Sequence, residues 1–243
     1  MDVILWGRAA WIAAALGLAG CASPPAPRGA VQSEPTSAGE ALQSDTNRMV
    51  TLAMRDNLAG LMLLADKLYR RNPGEWRRAG HASREAALDV LALAIRQQQA
   101  PATLQGKRDI AALALALTPE FTGDRVAAFI YANADMLIVA HGGKTSFNLL
   151  DSQEPQHLYN AARNIETAVW LLATRRTATG QPLLLADEMN ERGRNLSFER
   201  EFGKIVGRLD LVAVYLTEKY RRAAIGYVQG LLGGQFFQFL PVR

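Results

Sequence analysis

The sequence predicts an all-α protein, a non-repetitive bundle of about six helices. Three observations predict it. From about residue 46 onward, apolar residues recur every three to four positions, the spacing that gathers them on one helix face. Breakers cut this pattern into segments of helix length: Asn72-Pro73-Gly74, Pro101, Thr118-Pro119 and Gly180-Gln181-Pro182. No stretch shows the convincing period-two alternation of a half-buried strand.

The first element runs from about Thr46 to Arg71, with Leu58, Leu61, Met62, Ala65, Leu68 and Tyr69 on one face and Asn72-Pro73-Gly74 as its stop. The second starts after Ser83, an N-cap with Glu85 in the first turn, carries Leu88, Leu91, Ala92 and Ile95, and is bounded by Pro101. An alanine-leucine run from about Lys107 to Leu117 makes the third. The fourth, Asp124 to His141, is apolar almost all round and too polar at Asn133 and Asp135 to span a membrane, so it is expected as a central buried helix. The fifth follows Pro155 and keeps its stripe through Leu158, Ala162, Ile165, Val169 and Leu172 to Arg176. A short piece covers Leu183 to Met189. The last helix opens at Ser197 and carries Phe202, Ile205, Leu209, Val212, Leu216, Tyr220 and Tyr227. The segment Leu64 to Pro73 resembles one tetratricopeptide boundary, but nothing similar returns about 34 residues later.

Composition excludes several classes. At 49% hydrophobic and 21% charged residues, the chain is too apolar for disorder and too polar for many membrane spans. A net charge of +4 is too mild to name a partner. One cysteine rules out an intrachain disulfide and a cysteine-cluster metal site.

The first twenty residues do not read as fold. Arg8 precedes an uncharged run from Ala9 to Ala19 that suits the apolar region of an export signal and is too short to cross a bilayer comfortably. The run closes on Leu18-Ala19-Gly20-Cys21, which resembles the lipobox of bacterial lipoproteins. The resemblance covers only this export segment. It implies cleavage before Cys21, diacylation of its thiol and acylation of the new amino terminus. Ala22, where an aspartate commonly retains lipoproteins in the inner membrane, implies the outer membrane. The domain organisation then reads as a signal peptide at 1–20, a flexible Pro/Ser/Ala-rich linker at 21–45 and a helical periplasmic domain at 46–243.

Chemical motifs are sparse. His141-Gly142-Gly143-Lys144-Thr145 falls short of a phosphate loop, whose first glycine would stand at Ile138, and Gly142-Gly143 reads as a helix C-cap. His81, His141 and His157 lack metal-ligand spacing, and no GxSxG elbow occurs, so no catalytic residue, metal or cofactor is assigned. Two sets of carboxylates remain for acid-base work: Asp187-Glu188-Glu191, set against Arg192, Arg194 and Arg200, and Asp135, which is expected to pair with an arginine or cap a neighbouring backbone.

Two basic-aromatic clusters share the order Tyr-Arg-Arg. Arg70, Arg71, Trp76, Arg77 and Arg78 form one; Tyr220, Arg221 and Arg222 form the other. Only five lysines occur, so arginine carries most of the positive charge, and its fork suits phosphate or carboxylate groups. These residues are candidates for contact with an anion or partner; the plainer alternative is complementing helix ends and pairing internally. Between Arg222 and Arg243 lie twenty uncharged residues, interrupted by three glutamines, four glycines and a proline. Gly226 and Gly230, one turn apart, would let another backbone approach closely. Core packing is the plain expectation for this tail; a docking surface for membrane or partner is the alternative.

The expected protein is a lipid-anchored envelope bundle with a binding, scaffolding or assembly role. Its partners are the membrane, through its lipid, and an envelope protein, lipid or peptidoglycan, with nucleic acid excluded by location. The rivals are an envelope enzyme acting on glycan or lipid through Asp135 or the Asp187 cluster, and a secretion-accessory or membrane-interacting protein using its C-terminal apolar tail.

Overall fold

Ser44 accepts a hydrogen bond from the Asn47 amide (3.2 Å) and so starts helix α1, Asp45–Arg71. The computed structural model describes residues 38–190 and 193–237. Six more helices follow: α2 Pro73–Arg78, α3 Arg84–Gln97, α4 Asp109–Ala116, α5 Arg125–Ala140, α6 Pro155–Thr174 and α7 Ser197–Phe237. A two-stranded antiparallel hairpin, β1 Glu188–Asn190 and β2 Gly193–Asn195, precedes α7. The fold is all-α, and the hairpin is a local turn device.

The expected boundaries hold where a cap was legible. Ser83 accepts from the Ala86 amide and Asp124 from the Ala127 amide, opening α3 and α5. Gly142 and Gly143 take φ of +72° and +79°, and the Gly143 amide donates to the Ile138 carbonyl (2.9 Å), which closes α5 as a C-cap.

Helix α5 is the centre of the core. Val126, Phe129, Ile130, Asn133 and Leu137 have no exposed surface; Asn133 Nδ2 donates to the Phe129 carbonyl (2.8 Å), while its Oδ1 is buried without a hydrogen-bond partner among the described residues. Helices α1, α3, α4 and α6 pack against α5, and α7 packs on α6 and α1. An edge-on contact between Phe129 and Phe202, centroids 6.2 Å apart, ties α7 into that core.

Three expectations need correction. Asn72-Pro73 ends one helix but also begins another, because proline at the first helical position forfeits an amide that would be unpaired anyway. The linker does not extend to residue 45. Residues 39–44 already belong to the compact unit Gly39–Arg243, where the Leu149 amide donates to the Leu42 carbonyl and Gln43 Nε2 to the Phe147 carbonyl, both at 2.8 Å. The short piece from Leu183 leads without a helix into the hairpin, whose first strand takes up Glu188 and Met189. The buried stripe of α7 stops at Leu216: Tyr220 and Tyr227 are 48% and 71% exposed. The expected signal peptide, Cys21 and most of the linker lie outside the described residues.

Candidate functional site

Asp135 sits on α5 with its carboxylate 1% exposed, held by the Arg108 fork from the loop before α4; Arg108 Nε donates to Oδ2 at 3.0 Å. That is the arginine pairing expected for a lone acid on an apolar helix. A second acid stands beside it. Asp109 takes φ +51° at the start of α4, and burial, reinforced by the Asp135 charge, pushes its carboxyl up from the usual range. Arg108 and Asp109, but not the buried Asp135, line an open groove of about 520 Å³ together with Val139, His157 and Asn160. Burial and then the Asp135 charge raise the Tyr131 phenol.

In the other acid cluster, Asp187 serves the backbone of α7. Both Asp187 carboxylate oxygens accept from the first amides of α7, at Phe198 and Glu199, each at 3.2 Å. Glu188 lies in β1, and Glu191 and Arg192 lie outside the described residues. Glu201 pairs with Lys204 (2.9 Å). His141 is 3% exposed and its Nδ1 bonds to the Leu137 carbonyl (2.7 Å); burial, opposed by that bond, pushes its pKa down. Among the described residues, no group of three or more His, Cys, Asp or Glu is placed to hold a metal ion.

The two Tyr-Arg-Arg clusters do not meet. α7 runs antiparallel to α1, since Arg208 bonds Asn57 (3.1 Å), Tyr215 reaches Thr46 (3.4 Å) and Lys67 reaches Ser197 (3.0 Å). At 1.5 Å per residue, the end of α1 and Tyr220 stand about 40 Å apart along the bundle. In the first cluster, Arg70 pairs with Asp66 (2.8 Å), Arg78 with the buried Glu75 (2.9 Å), and Arg77 lies 4.9 Å over the Trp76 ring. Glu75 also accepts the Arg125 amide (2.8 Å), so this cluster braces the junction of α2 and α5. Arg71 is half-buried at the end of α1. In the second cluster, the Tyr220 hydroxyl donates to the Gln153 carbonyl (3.2 Å), Arg221 donates to Glu218 (3.0 Å), and Arg222 is exposed.

The second cluster stands at the root of an unusual element. Helix α7 has 41 residues, about 60 Å of helix. Phe198, Phe202, Ile205, Leu209, Val212, Ala213 and Leu216 bury its first half. Beyond Leu216, every residue through Leu231 whose side chain is described is exposed, Ile225, Tyr227, Val228 and Leu231 among them. Core packing, the plain expectation for the tail, therefore does not hold as far as Leu231. The residues from 238 lie outside the described part.

This outer half leaves the bundle at the end where the chain enters it. The Thr46–Tyr215 contact puts the start of α1 beside the last buried turn of α7. The bundle half is also apolar on its far side, with Leu211 66% and Val214 62% exposed. Sequence reading passed these two over because it followed one stripe; their offset from Leu209 and Val212 marks a second face. Arg108 and Asp109 carried no signal at all, being 27 and 26 positions from Asp135 with no shared periodicity. Among the described residues no helix is long and apolar enough to cross a membrane. No family model, curated protein or solved structure matches this chain.

Proposed function

We propose that this protein is a lipid-anchored helical lipoprotein of the bacterial outer membrane, facing the periplasm, which binds or assembles another component by presenting the outer half of α7. The lipobox-like Leu18-Ala19-Gly20-Cys21 supports the anchor. The observation that carries the binding role is the exposed run of α7 beyond Leu216, uncharged from Ala223 onward, which continues the apolar far side of the bundle half at Leu211 and Val214. Monomeric surfaces rarely leave such apolar side chains together without a use for them. Two acyl chains make attachment stable, each buried methylene contributing about 0.8 kcal/mol.

The enzymatic rival has less support. Asp135 is engaged by Arg108, and both oxygens of Asp187 hold the first turn of α7. Mass spectrometry of the native protein tests the anchor. The expected product begins at an acylated Cys21, and Cys21→Ser moves it out of the membrane fraction. An intact Met1 with an unmodified sulfur would overturn the assignment.

A further inference from the structure

The outward face of α7 repeats with a spacing that a second helix would match. Gly207, Leu211, Val214, Glu218, Arg221, Ile225 and Val228 follow one another at alternating steps of four and three residues, and Leu232 continues the series in sequence. This is the seven-residue seam of a coiled coil. All seven are exposed. They lie on the side of the helix opposite Ile205, Leu209, Val212 and Leu216, which face the bundle, so the seam is open from Gly207 to Val228.

The seam is also a palindrome. Turned end for end about a point between Lys219 and Tyr220, Glu218 falls on Arg221, Val214 on Ile225, Leu211 on Val228, and Gly207 on Leu232. Each charge meets its opposite, each apolar residue meets another, and the small residue meets a large one. A Cβ at Gly207, or at Gly203 one turn earlier, would meet nothing within 4 Å, so there is room over both for a partner's side chain. Glycine at exposed helical positions costs about 1 kcal/mol relative to alanine, and close approach of another helix accounts for keeping it.

We infer that the protein forms a two-fold antiparallel dimer through α7, a second copy of the chain being the occupant of this seam. The overlap from Gly207 to Leu232 spans about 38 Å of helix. Such a contact is isologous: the same patch on both copies, closing on itself. The Glu218–Arg221 pair, now made within one helix, is exchanged between copies and fixes the register, as a polar layer does in a coiled coil. A lipid surface fits less well, because that charged pair, although joined within one helix, sits in the middle of the apolar stripe and would have to be carried into the bilayer. An open groove of about 470 Å³ beside Val214 and Glu218, walled by Glu154 and Tyr159 of the α6 end, leaves the approach clear. The inference rests on the reading of α7 as the binding element and not on the lipid anchor.

The test uses the mature full-length chain carrying Cys21→Ser, which removes the lipid and the only thiol. Light scattering at micromolar concentration is expected to give twice the single-chain mass. E218R or R221E alone places like charges face to face and weakens association about tenfold or more, and E218R/R221E together restores it. Because Glu218, Arg221, Val214 and Ile225 are all exposed, the bundle should stay folded in every variant, with the near-ultraviolet circular dichroism of its buried aromatic residues unchanged. Should a charge variant nonetheless misfold, cysteines decide. V214C mixed with I225C gives an interchain disulfide, and V214C by itself does not. A single-chain mass for the parent, a V214C disulfide with itself, a dimer indifferent to both charges, or monomers that bind phosphatidylethanolamine–phosphatidylglycerol vesicles through α7 would each overturn the inference. None of these outcomes bears on the anchor, which the Cys21 mass spectrum tests separately.

Discussion

The two halves of α7 are one continuous helix in two different physical situations. From Ser197 to Leu216 it has a buried face fastened to Phe129 of α5, and its first amides are held by Asp187. Beyond Leu216 it has the same apolar residue types and no buried side chain among those described. Isolated helices of 15 residues or so are marginal in water, and four glycines between residues 226 and 234 weaken this one further. As far as Leu231 the segment does not serve the core, and its exposed isoleucine, valine and leucine are what the proposed contact would use.

The largest expected effect breaks the bundle half. Phe202→Ala should cost about 3–5 kcal/mol in denaturant unfolding, whereas Leu231→Ala in the outer half should cost less than about 0.5 kcal/mol. An equal loss at both positions would erase the distinction between them. Next comes Arg108→Ala, which strands the buried Asp135 carboxylate. About 2 kcal/mol is expected, less than for a fully buried pair because Arg108 is 53% exposed. Asp187→Ala should remove about 1 kcal/mol and speed hydrogen exchange in the first turn of α7 while leaving the outer half untouched.

The smallest effect is a pH dependence. The carboxyl of Asp109 is raised in the folded chain, so the unfolded state releases its proton first, and stability falls as pH rises between the unfolded and folded values. Asp109→Asn should therefore melt higher than the parent at neutral pH, with the difference vanishing below the ordinary aspartate range. His141 acts in the opposite sense. Its pKa is lowered by burial, so the parent loses stability as pH falls from about 6.5 toward the folded value.

Much of the bundle was legible because its signals are local. Ser83 and Asp124 cap their own helices, Gly142-Gly143 supplies the positive φ of a C-cap, and the periodicity of α5 and α6 needs no partner to be seen. The site was less legible because it depends on juxtaposition. Arg108 meets Asp135 across a helix and a loop, and Asp187 meets Phe198 across a hairpin. Lys67-Leu68-Tyr69-Arg70-Arg71 and Lys219-Tyr220-Arg221-Arg222 share an order of residues that carries no information on distance; antiparallel packing of α1 and α7 sends them to opposite ends. Composition of the tail could not decide between core and surface, since both draw on the same apolar residues.

The most direct measurement is denaturant unfolding of the chain shortened after Arg222, at a concentration low enough to keep it monomeric, beside the full-length chain. If the outer half of α7 is a presented surface, the two midpoints and slopes coincide while association is lost. A drop of several kcal/mol on shortening would contradict this and return those residues to the core.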